Sequence, residues 1–162
     1  MVVIRNGTPS GPRKTEEFVF TPGVEEFTAR LRKLGYLLVV VTNQPDIGRG
    51  LLSPEVLGEI HGMMKSRLAV DDILFCPHDG TTACSCRKPA PGMLLDAARR
   101  HRIDLERSWM IGDRDKDVEA GRRAGCRTII LTAPYNLEVE ADFRAGDFGE
   151  CLHIIEEKDG SR

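Results

Sequence analysis

Tyr36-Leu-Leu-Val-Val-Val41 runs directly into Thr42-Asn43-Gln44. An unbroken apolar run of this length, without alternation, reads as a strand buried on both faces of a parallel sheet. The polar turn behind it then lies at the strand's carboxyl end, where open α/β sheets bind ligands. Upstream, Thr21-Pro22 reads as an N-cap and first helical position, Val24, Phe27, Leu31 and Leu34 follow at helical spacing, and Gly35 suits the stop. Downstream, Ser53-Pro54 opens a second helix carrying Val56, Leu57, Ile60, Met63, Met64 and Leu68, and Ile73 to Cys76 forms a short strand.

The cycle continues to the end. Pro91-Gly92 opens a helix through Met93, Leu94, Ala97 and Ala98; Trp109-Met-Ile111 is a strand; Asp117 to Ala124 is a helix closed by Gly125. Thr128 to Leu131 is a further strand, and a helix over Cys151 to Glu157 ends the pattern, with a flexible tail from about residue 158. Near the start, the apolar run Met1 to Ile4 breaks at Asn6-Gly7-Thr8-Pro9, and residues 9–17 read as a loop. Strands alternating with helices imply an α/β fold, a central parallel sheet with helices on both faces.

The chain has 162 residues, which is the length of one ordinary domain. A net charge of −2 and a pI near 6.1 give no footprint of nucleic-acid binding. No apolar run reaches the roughly 20 residues that span a bilayer, and the first residues lack the pattern of a secretory signal. The expected setting is the cytoplasm, with no nucleic acid and no membrane as partner.

Five cysteines, an odd number, argue against a disulfide framework. Cys126 and Cys151 stand alone within apolar patterns and read as core residues. The other three join a histidine in Cys76-x-His78-x5-Cys84-x-Cys86. A closed set of four soft or borderline ligands marks a structural zinc site that clips the loop 76–86. The histidine and the spacing favour one zinc ion over iron. Just past it come Arg87-Lys88-Pro89, and after the next strand Gly112-Asp113. A hydroxyl, a lysine, a carboxylate and glycine-containing turns at strand ends suit a phosphate with a divalent cation.

Val39-Val-Val-Thr-Asn-Gln44, Ile47-Gly-Arg-Gly50, Phe75-Cys-Pro-His78, Cys84-Ser-Cys-Arg-Lys-Pro89 and Met110-Ile-Gly-Asp-Arg-Asp-Lys-Asp117 occur in this order. The series resembles the haloacid dehalogenase (HAD) superfamily phosphatases that act on D-glycero-D-manno-heptose 1,7-bisphosphate, with the related histidinol-phosphate phosphatases. It runs from residue 1 to about 135. The resemblance implies a HAD-like Rossmannoid three-layer sandwich over residues 1–162, without a separate cap domain, its site roofed by the zinc-clipped loop. It also implies transfer of a phosphoryl group to an aspartate. By matching positions, Thr42 is the phosphate-binding hydroxyl with Asn43 beside it, and Lys88 is the neutralising lysine. Asp113 is the Mg²⁺ ligand, Asp117 supports it, and Arg49 and Arg87 face substrate phosphate.

The first motif departs from the family. Alignment on Gly7-Thr8 puts Ile4 at the nucleophile and Asn6 at the acid/base position, and residues 1–14 hold no Asp or Glu. Isoleucine has no lone pair to attack phosphorus, and an amide cannot take up and return a proton as a carboxylic acid does. Asp46 follows the wrong strand to stand in. The loss also strips charge from the cation site, so Mg²⁺ binding is expected to be weakened. The sequence therefore implies a phosphatase-like protein of impaired catalysis that keeps a site for a phosphorylated small molecule, a sugar phosphate or histidinol phosphate. A working phosphatase and a partner-binding module with a vestigial site stay open as alternatives.

Overall fold

The computed structural model describes residues 3–5, 8–81 and 83–160. They divide into two compact units, Met1–Cys84 and Ser85–Arg162.

In the first unit, strands β1 (Val3–Arg5) and β2 (Thr8–Ser10) pair antiparallel, with Ile4 opposite Pro9 and Arg5 opposite Thr8. The sequence between the two strands is Asn6-Gly7, the dipeptide most favoured in two-residue hairpin loops. Where the sequence suggests a first strand of the parallel sheet followed by a loop, the structure has a hairpin. Among the described residues, neither parallel sheet contains β1.

Helix α1 (Val24–Lys33) begins two residues later than Thr21-Pro22 implies. The Thr21 carbonyl accepts from Val24 N at 3.2 Å, and Gly23, at φ 80°, is the N-cap, a left-handed position that glycine takes without strain. Glu25 and Glu26 in its first turn and Arg30, Arg32 and Lys33 in its last complement the helix dipole. Strand β3 (Val39–Asn43) is shifted towards the polar turn; Tyr36 to Leu38 lie outside it. A short helix α2 (Pro45–Gly48), absent from the sequence reading, follows. Helix α3 (Pro54–Leu68) starts as read, the Ser53 hydroxyl accepting from Val56 N at 3.3 Å. Strand β4 (Asp72–Cys76) lies parallel to β3, from Val39 opposite Asp72 to Asn43 opposite Cys76. Phe27, Leu31, Leu52, Leu57, Ile60, Leu68 and Leu74 are among the buried apolar residues of this unit.

In the second unit, α4 (Gly92–His101), β5 (Trp109–Gly112), α5 (Asp115–Ala124) and β6 (Arg127–Leu131) follow the sequence reading within three residues. Gly125 closes α5 at φ 84°. A three-residue strand, β7 (Phe143–Ala145), was not legible, because so short a segment with a charged centre carries no periodicity. The sheet runs β5-β6-β7, all parallel. Helix α6 (Phe148–Asp159) is longer at both ends than read. Its last residue, Asp159, accepts from Trp109 Nε1 at 3.0 Å and pairs with Arg127 at 2.7 Å, which fastens the helix end. Ile129, Ile130, Cys151 and Ile155 are fully buried, and Cys126 nearly so, as the sequence implies for the two isolated cysteines. Burial raises both thiols, Cys126 to about 11 and Cys151 to about 12, the latter helped by the charges of Asp147 and Glu150.

The fold is thus α/β, with parallel sheets flanked by helices. Among the described residues no helix is long and apolar enough to cross a membrane.

Candidate functional site

Cys76 ends β4 and is wholly buried. Its sulfur lies 3.4 Å from His78 Nδ1 and 3.7 Å from Cys84 Sγ, and with Cys86 the four ligand atoms all fall within 4.8 Å of one another. Tetrahedral zinc, with Zn–S of about 2.3 Å and Zn–N of about 2.0–2.1 Å, sets sulfur atoms about 3.8 Å apart and sulfur about 3.6 Å from nitrogen. Two of the six edges of the cluster thus match those of a zinc tetrahedron, and the donor set fits the ion. The chain around it is tightly tied. Cys76 O accepts from Gln44 N at 2.8 Å and Pro77 O from Gly48 N at 3.0 Å. A Cβ on Gly48 would stand 2.7 Å from Pro77 O, so this approach needs glycine. Asp79 accepts from the hydroxyl and the N–H of Thr81, which hold its carboxyl below the usual range.

Thr42 and Asn43 sit at the carboxyl end of β3, opposite Phe75 and Cys76. The Thr42 hydroxyl accepts from Gln44 Nε2 at 3.3 Å. Arg49 follows α2 and is half exposed; its Nη1 lies 3.4 Å from Asp46 Oδ1, while Arg13 Nε holds Oδ2 of the same carboxylate at 2.6 Å. Asp46 is therefore a nearly buried ion-pair centre. Ile4 lies on β1, and Asn6 is outside the described residues.

In the second unit the turn from Ser85 to Gly92 is compact: Gly92 N donates to Ser85 O at 3.0 Å, and Ala90 N to Arg87 O at 2.8 Å. A Cβ on Gly92 would stand 2.1 Å from Ser85 O. On this turn, Lys88 Nζ lies 2.6 Å from Asp117 Oδ1. The other oxygen of Asp117 accepts from the N–H groups of Asp113 and Arg114, both at 3.2 Å. Both oxygens of Asp117 are thus spent on the lysine and on the start of α5. Asp113 is more open. Its Oδ2 accepts from the Tyr135 hydroxyl, and Arg114 Nε approaches the same oxygen at 3.6 Å.

Tyr135 and Asn136, in the turn after β6, have no place in the sequence reading. Asn136 is buried; its Nδ2 donates to the carbonyls of Asp113 and Leu131, both at 2.8 Å, and its Oδ1 accepts from Ala133 N at 2.9 Å. The usable signal was positional. Ala133-Pro134-Tyr135-Asn136 follows a strand end as the other site turns do. The Tyr135 hydroxyl is pushed up to about 12, by burial first and then by its hydrogen bond to Asp113 and that carboxylate's charge.

Comparison with known proteins places these features. Residues 85–134 match the family model described as HAD-hydrolase-like. The chain is 41% identical over 140 residues to the D-glycero-beta-D-manno-heptose-1,7-bisphosphate 7-phosphatase of Photorhabdus laumondii, spanning 77% of this chain and 74% of that protein. The chain belongs to the heptose-bisphosphate phosphatase family of HAD-like hydrolases. The phosphatase of the same name from Bordetella bronchiseptica is 36% identical over 134 residues, 80% of this chain and 75% of that one. A crystal structure of the B. bronchiseptica D,D-heptose 1,7-bisphosphate phosphatase, complexed with magnesium and phosphate, superposes with a TM-score of 0.85. That match, at 29% identity, covers 96% of this chain and 94% of the other.

Proposed function

We propose that this chain binds a phosphorylated sugar in the manner of its family but does not turn it over. The observation that carries the reading is the first motif. Residues 1–14 supply no carboxylate to attack phosphorus or to move a proton, and β1 pairs with β2 alone among the described residues. Thr42 and Asn43 at the end of β3, Lys88 with Arg87, and Arg49 would hold phosphate oxygens by hydrogen bonds and positive charge. Histidinol phosphate is the alternative ligand within the same chemistry.

Two metals belong to this reading. Zinc on Cys76, His78, Cys84 and Cys86 would be structural, because four protein ligands leave no open position. Bound there, it would fix the loop that leads into Arg87 and Lys88. Magnesium would be held by Asp113, a single hard oxygen donor, with Asp117 in support through the N–H groups it accepts. Such an ion relies on one or two carboxylates, water and the substrate phosphate. Bound there, it would neutralise phosphate charge. One carboxylate where the family pattern has more implies weak binding.

Inorganic phosphate and the heptose bisphosphate should raise the melting temperature of the zinc-loaded chain, since a ligand of the folded state stabilises it by mass action. The effect should be lost in Thr42→Ala. No shift with either ligand would replace this reading by that of a module with a vestigial site. The family's name favours a working phosphatase as the second reading, and phosphate release separates it from the first.

A further inference from the structure

Asp113 is held from one side. The Tyr135 hydroxyl donates to Oδ2, and the Arg114 guanidinium approaches that same oxygen while stacking on the Tyr135 ring, 4.3 Å from its centroid. Among the described residues no hydrogen bond falls on Oδ1. The tyrosine itself is fixed by its neighbour, since buried Asn136 binds the carbonyls of Asp113 and Leu131 and the N–H of Ala133. The turn after β6 and the turn after β5 are thereby bolted together, and the Asp113 carboxylate has one oxygen anchored and one presented.

We propose that Tyr135 is the positioning residue for the divalent cation: by holding Oδ2 it aims Oδ1 of Asp113 as a one-oxygen ligand. A ligating carboxylate with a free second oxygen loses rotational freedom when it binds, and a hydrogen bond that has already fixed it lowers that cost. The need is greater here than where several carboxylates share an ion, because Asp117 is engaged by Lys88 and the first motif offers none. Arg114 opposes the cation by its charge. Its stacking on Tyr135 keeps the guanidinium on the Oδ2 side, away from the oxygen left to the ion.

The inference rests on Asp113 being the cation ligand, so the test separates the two. Binding of Mn²⁺, a paramagnetic substitute for Mg²⁺, is measured by electron paramagnetic resonance on the zinc-loaded full chain with inorganic phosphate present. Tyr135→Phe should weaken it by about 10-fold or more with an unchanged melting temperature in the absence of Mn²⁺, and Asp113→Asn should abolish it. Wild-type binding by Asp113→Asn would overturn the ligand assignment and this inference with it. Loss in Asp113→Asn with full binding by Tyr135→Phe would overturn the positioning role alone. A second readout needs no change at Tyr135. The chain has two tyrosines, so in Tyr36→Phe the ultraviolet difference spectrum on adding Mg²⁺ reports Tyr135. It should appear with the same midpoint as cation binding, and a silent spectrum at saturation would overturn the proposal.

Discussion

Lys88 Nζ stands 2.6 Å from Asp117 Oδ1, with 11% and 10% of the two side chains exposed. This pair decides how the acidic end of the site is divided. Asp117 holds the lysine and the first turn of α5, and a Cβ on Gly112 would lie 2.3 Å from Asp117 Cβ, so the strand end is glycine to admit the carboxylate. Of these two carboxylates, Asp113 is the more open.

Removing one member of a nearly buried pair leaves the other charge without its partner, a change that costs about 3–5 kcal/mol. Lys88→Ala and Asp117→Asn should each lower unfolding stability by about that amount, read from urea midpoints at constant slope. Lys88→Met with Asp117→Leu should cost much less than the sum. Additive losses would show that the two residues are not coupled.

The cysteine cluster sets a thiol count. The chain should carry one zinc ion, and a strong chelator should release it, lower the melting temperature and expose three thiols to a disulfide reagent at pH 8. Cys126 and Cys151, buried in the second unit, should react only on unfolding, bringing the total to five. Five reactive thiols in the native, metal-loaded protein would contradict both assignments.

Two glycine substitutions should have opposite signs. In Gly92→Ala the new methyl would meet the Ser85 carbonyl at 2.1 Å, a backbone atom that cannot swing away. In Gly58→Ala, within α3, the methyl meets nothing within 4 Å, and alanine should stabilise the helix by roughly 0.5–1 kcal/mol. Thermal unfolding should fall sharply for the first and rise slightly for the second.

Stability should fall in alkali, beginning near pH 9. Cys126, Cys151 and Tyr135 are raised in the folded chain to about 11, 12 and 12. The unfolded chain therefore loses these protons first. Their contribution is fully present below the unfolded values and is lost as pH climbs towards the folded ones. Urea midpoints between pH 8 and 10.5 should decline; a rise would contradict the upward shifts of these groups.

The helix boundaries that were legible carry local chemistry: Ser53-Pro54 at the start of α3 and Gly125 at the end of α5. The Cys/His cluster was legible for the same reason, since its four side chains lie within eleven residues of one another. What escaped depends on distant partners. β7 exists because it pairs with β6, and Asp142 beside it caps Thr128 by hydrogen bonds of 2.7 and 2.8 Å. Tyr135 gains its meaning from Asp113, 22 residues earlier. The antiparallel partner of β1 was hidden because Thr8 to Ser10 fall in a polar stretch that reads as turn and loop.

The central claim is a phosphatase scaffold with a phosphate site and no nucleophile. It is tested most directly by phosphate release from D-glycero-D-manno-heptose 1,7-bisphosphate by the zinc-loaded chain in Mg²⁺. The account predicts release at the uncatalysed background; robust turnover that depends on Mg²⁺ and is lost in Asp113→Asn would contradict it.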